Sequence, residues 1–142
     1  MNLKFEVIIG EYRHHTRDEL FNLAELRRDL VFYVHDHNIL KLKIRRKDKL
    51  YCYLDVDITG WEFFVIGKIN PTDADSSAIV YRHVTVLTDP IEGETDIDLI
   101  EVSGEDFSGN LVYQLRAKDN HGNFRLLGEG LLQFKQSLFG EI

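Results

Sequence analysis

The sequence predicts an α+β fold, a mainly antiparallel curved sheet or small barrel of six to eight strands packed on one N-terminal helix. Three observations lead there. An apolar stripe with 3-to-4 spacing lies between residues 16 and 38, the period of a helix. From residue 39 onward apolar and polar residues alternate in runs broken by turn-forming clusters, the period of strands. No second helical stripe separates those runs, which disfavours a parallel sheet, because parallel neighbours need long crossovers. With 142 residues the chain fits a single domain, 1–142. A chain of that size buries roughly 70% of its unfolded surface and needs no metal or disulfide to hold together.

In chain order, "LKFEVII" (3–9) alternates as a first strand. The helix is expected to start at Thr16, which with Glu19 forms a capping box satisfying free backbone N–H groups. Leu20, Leu23, Leu26, Leu30 and Val34 continue its stripe, and Asn38 suits the residue that closes it. "VFYV" (31–34) is rich in strand formers and competes with that reading. "ILKLKIR" then turns Leu40, Leu42 and Ile44 inward, and "LYCYLDVDI" turns Leu50, Cys52, Leu54, Val56 and Ile58 inward. Keeping Ile44 and Leu50 on one face requires a loop of three or five residues around Lys47 and Asp48. Ile58 and Trp61 are expected to pair across Thr59-Gly60, setting Val56 against Phe63 and Leu54 against Val65 in a three-stranded meander. Further strands are expected at 78–87 and 97–102, and a hairpin across "DNHG" joins "LVYQLRAK" to "NFRLLGEG". "LLQFKQSLF" (131–139) reads equally as strand or short helix.

The net charge of −7 is unevenly distributed. Residues 69–115 hold ten acids and one base, while 41–49 hold six bases and one acid. Such asymmetry concerns partners rather than fold. One cysteine, Cys52, allows no internal disulfide, and the opening stretch lacks the pattern of a secretion signal. No apolar run reaches the ~20 residues that span a bilayer. These features predict a cytoplasmic protein with no membrane role.

Chemical candidates are few. Asp55, Asp57 and Glu62 are expected near one turn, where hard cations would want convergent oxygens, although a wet sheet face needs no ion. His14-His15 and His35-x-His37 are ligand-like pairs, but zinc wants three or four clustered ligands, so no metal is expected. Phosphate-loop, dinucleotide-loop and nucleophile-elbow patterns do not occur, so no cofactor is expected and an enzyme is disfavoured. The leading expectation is a non-catalytic acidic module of inhibitor or chaperone type that engages a more basic protein. Asp89, Glu92, Glu94, Asp96, Glu105 and Asp106 would steer the partner, and Phe107 would anchor it unless it tucks inward. An alternative is a small-molecule-binding or enzymatic fold with an apolar pocket lined by Trp61, Phe63, Tyr81 and His83. A third is a face for nucleic acid made by Lys41, Lys43 and Arg45 beside Tyr51 and Tyr53, which the overall negative charge disfavours.

Overall fold

A computed structural model describes residues 2–9, 27–33, 37–49, 52–99 and 109–135. Nine strands dominate them: β1 (Asn2–Ile9), β2 (Leu30–Tyr33), β3 (Ile39–Lys49), β4 (Cys52–Asp55), β5 (Glu62–Lys68), β6 (Val80–Val84), β7 (Glu94–Asp98), β8 (Gly109–Lys118) and β9 (Phe124–Lys135). The α+β expectation is thereby corrected. Among the described residues there is no α-helix, only a 3₁₀ turn at Asp75–Ser77.

The correction falls on residues 27–33. Leu30 and Phe32 are buried while Val31 is exposed, a period of two rather than 3.6. β2 runs parallel to β9, with Leu30 beside Leu132 and Phe32 beside Phe134, and the two phenylalanine rings stack at 6.1 Å. Here tertiary pairing overrides a stripe whose residues are strand formers. The capping box Thr16–Glu19 and Leu20, Leu23, Leu26 and Val34 lie outside the described residues.

The strands form two mixed sheets. In the first, β3 has parallel β1 on one side; antiparallel β7 and then β4 follow one another along its length. The second has the order β2-β9-β8-β5-β6, with β2–β9 its parallel pair. Their inner faces share one core: Phe5, Leu40, Leu42, Ile44 and Ile97 from the first, and Phe32, Phe63, Val65, Leu115 and Phe134 from the second. Each such side chain contributes roughly 1.5–3 kcal/mol on burial.

The expected meander is also corrected. β4 pairs with β3, but β5 belongs to the other sheet, between β6 and β8. The turn at 58–61 exists, with Trp61 N–H donating to Ile58 O at 2.9 Å and Gly60 at φ 84°. It works as a corner between sheets, so Val56 does not face Phe63, nor Leu54 Val65. Ile58 and Trp61 still point into the core. The β3–β4 connection differs from expectation too. β3 continues through Lys47 and Asp48 to Lys49, and the register slips by one between Lys47 and Lys49. That bulge supplies the parity change assigned to an odd loop. Leu54 is 38% exposed rather than buried, because the hairpin overhangs the core and its neighbour Arg46 is exposed as well.

The β8–β9 hairpin forms as the alternation predicts, and β9 extends to Lys135, so the segment from 131 begins as strand. Asp119 closes its turn by accepting hydrogen bonds from the amides of His121 and Asn123, both at 2.9 Å.

Candidate functional site

The acidic and basic candidates from the sequence meet on one surface. The β3–β7 register sets Lys41 opposite Asp96 and Lys43 opposite Glu94. Lys41 reaches Asp96 at 3.4 Å, Lys43 reaches Asp55 at 3.1 Å and Glu94 at 3.5 Å, and Arg45 lies 3.6 Å from both Glu6 and Asp55. The Lys43 ammonium beside Asp55 holds that carboxyl below the usual range, with Arg45 adding to the effect. Burial alone would lower the Lys43 pKa, but Asp55 and Glu94 together reverse this and raise it. Glu94 and Asp96 are thus engaged by lysines, and Lys41, Lys43 and Arg45 by carboxylates. Asp55 is thus neutralised by Lys43 and Arg45.

Of the other carboxylates in the expected cluster, Asp57 accepts from the Thr59 amide at 3.0 Å, and Glu62 contacts His83 at 2.6 Å on the other sheet. The Thr59 hydroxyl and amide together hold the Asp57 carboxyl low. The three acids therefore do not converge. Among the described residues no group of three or more His, Cys, Asp or Glu is placed to hold a metal. His37 meets Asp98 at 3.1 Å, while His14, His15 and His35 lie outside the described residues.

Asp89 and Glu92 remain, and they sit on a hairpin. Asp89 and Glu94 exchange both backbone hydrogen bonds at 3.0 Å, and Gly93 N–H closes the tip onto Pro90 O at 3.1 Å. The tip is fixed to the body at three further points. Ile58 N–H donates to Pro90 O at 2.9 Å, Ile44 N–H to Gly93 O at 2.8 Å, and Lys43 Nζ to Glu92 O at 2.7 Å. On this held frame Ile91 is 71% exposed, and nearby Val86 is 87% exposed. Neither was singled out by sequence reasoning, although Ile91 is a large apolar residue within a polar acidic stretch. Glu105, Asp106, Phe107 and Tyr51 lie outside the described residues. Tyr53 is about half exposed on β4.

A second feature is the outer face of the five-stranded sheet. Phe64 lies between His83 on β6 and Arg116 on β8, and Lys118 is paired with Phe124. The His83 ring stacks on Phe64 at 4.3 Å, Phe64 and Phe124 are 6.0 Å apart, and Lys118 Nζ stands 5.8 Å from the Phe124 ring. The alternation in "LVYQLRAK" was a signal for this face, since it puts Arg116 and Lys118 on the side opposite Leu115 and Ala117. The pocket expected from Trp61, Phe63, Tyr81 and His83 is not assembled. The first two point into the core, while Tyr81 and His83 lie on this outer face. An open groove of about 530 Å³ runs lower on the same face, lined by Arg27, Ile66, Lys68, Gln114, Glu129 and Leu131 among others.

Among the described residues, fold and site together define two mixed β-sheets around one core, with one ion-paired outer face and one ring-bearing outer face. No family model matches the sequence, and no curated protein matches it. Among solved structures the chain is similar to the N-terminal domain of phage TP901-1 ORF48, with a TM-score of 0.43 and 9% identity over 96% of this chain and 99% of that one. No helix among the described residues is long and apolar enough to cross a membrane.

Proposed function

We propose that the chain is a non-catalytic protein-binding module whose acidic hairpin engages a more basic protein. The observation that supports this most is the exposure of Ile91 on a hairpin held by backbone hydrogen bonds, with exposed Val86 just before it in the chain. An apolar anchor on a held frame loses little conformational freedom on binding, so more of its burial appears as affinity. Asp89 and Glu92 flank Ile91 in the chain and carry the negative charge that steers a cationic partner toward it. Glu94 and Asp96 act indirectly, by fixing β7 to β3.

The products of neighbouring reading frames in the source genome are the natural partners to test, by calorimetry with the purified chain. The reading expects a complex that weakens with salt and loses about 2 kcal/mol or more on Ile91→Ala, the scale of an interface hot spot. A complex whose affinity is indifferent to Ile91→Ala and Glu92→Lys would place the interface elsewhere.

A further inference from the structure

We infer that the outer face of the five-stranded sheet binds single-stranded nucleic acid, at a site separate from the acidic hairpin. Lys41, Lys43 and Arg45 on β3 are unsuited to this, because each of the three is within ion-pair distance of a carboxylate. Arg116 and Lys118 are different. Neither has an acidic partner within ion-pair distance among the described residues. Glu62, the neighbour of Lys118 on β5, turns its carboxylate to His83 at 2.6 Å instead. The two cations are two residues apart on one strand, about 7 Å, so they present adjacent positive charges along a line.

Rings accompany them in register. Phe64 is the cross-strand partner of Arg116, and Phe124 is that of Lys118. Phe124 is 59% exposed and Tyr81 50%, which leaves ring surface open at both sides of the Phe64–His83 stack. Paired cations and rings on an open sheet match the two needs of a single strand, charge for phosphate and π-faces for bases. A duplex keeps its bases stacked inside and offers the rings nothing.

The net charge of −7 does not override this arrangement. The acids of β7 and β4 lie on the outer face of the other sheet, beyond the shared core, and are themselves paired. Two packed sheets are about 10 Å apart before their outer side chains are added, so that charge is beyond a Debye length of about 10 Å at 0.1 M salt.

The test is fluorescence anisotropy of a short labelled oligothymidylate titrated with the full chain from about 0.1 M salt upward, where the acids of the other sheet are screened. Binding is expected, with a log–log salt slope of about −1.4 for two phosphate contacts. Lys118→Gln should halve that slope, to about −0.7. Phe124→Ala should weaken binding about tenfold, the scale of one lost stacking platform. Lys41→Gln, on the other sheet, should change nothing. The proposal is overturned by absence of binding at about 0.1 M salt, or by binding indifferent to both Lys118→Gln and Phe124→Ala. Equal affinity for a duplex would also overturn it, as would a chain whose oligomeric state in light scattering changes with Phe124→Ala while no oligonucleotide binds. That last outcome would mark the face as a contact between copies of the chain.

Discussion

The amide of Ile44, in the middle of β3, donates to the carbonyl of Gly93 at 2.8 Å, which draws the tip of the acidic hairpin against the centre of the first sheet. Gly93 is buried, has φ 74°, and a Cβ added there would stand 2.6 Å from Ile44 O and 2.7 Å from Val56 O. Both backbone conformation and space exclude a side chain. Gly93→Ala should therefore cost about 2–4 kcal/mol in urea unfolding, combining left-handed strain with backbone displacement. Gly122 is the control. Its φ is 86° but nothing lies within 4 Å, so Gly122→Ala should cost only about 1–2 kcal/mol from conformation. Equal losses at the two sites would refute the close-contact explanation.

The strand assignment at 30–33 is testable by paired truncations. Phe32 is fully buried against Phe134, so Phe32→Ala should cost about 3–5 kcal/mol. Val31, on the opposite side of β2, should lose under about 1 kcal/mol as alanine. Comparable losses at the two positions would contradict a period of two.

Ile91 separates binding from stability. With most of its side chain in solvent, Ile91→Ala should leave the unfolding midpoint within about 0.5 kcal/mol of the parent. A large destabilisation would mean that Ile91 is packed and unavailable to a partner.

The acid limb of stability should trace to Asp55, Asp57 and Asp119, whose folded pKa values all lie below their ordinary ones. For Asp119 burial works the other way, and the amides of Asn123 and His121 outweigh it. A carboxyl depressed by folding contributes its full stabilisation above the unfolded pKa, about 3.9, and loses it as pH falls through the folded value. The contribution of these three carboxyls should thus be flat above about pH 5 and decline below about pH 4. Asp119→Asn should make that decline shallower in denaturant titrations across pH. An unchanged acid limb in Asp119→Asn would assign the loss to other groups.

Lys41 and Asp96 are both about two-fifths exposed, so their pair should be worth little. A double-mutant cycle on Lys41→Gln and Asp96→Asn should return a coupling below about 1 kcal/mol that shrinks with salt.

Alternation made the faces legible. Leu40, Leu42 and Ile44 point inward and Lys41, Lys43 and Arg45 outward, as a strand with one buried face must have them. The same reasoning assigned Leu54 inward, and failed there only because the strand continues past the core it shares with its neighbours. Residues 30–33 were harder, since Leu30 suits both a helical stripe and an alternating one, and only its pairing with Leu132 decides between them. The candidate site was half visible. Asp89, Glu92, Glu94 and Asp96 stood out by charge, but the engagement of Glu94 and Asp96 by lysines did not, nor did Ile91 as the exposed residue among them.

By itself the sequence determined which residues meet the core along most strands, where the turns fall at 58–61 and 119–123, and where charge is concentrated. Only the tertiary structure decided that β1 pairs in parallel with β3 and β2 with β9, that β4 and β5 belong to different sheets, and that Lys43 spends its charge on Asp55 and Glu94. The physical reason is that side-chain period is local, fixing the side a residue faces. Strand partnership joins residues tens of positions apart, and depends on the burial of the whole core rather than on any one segment.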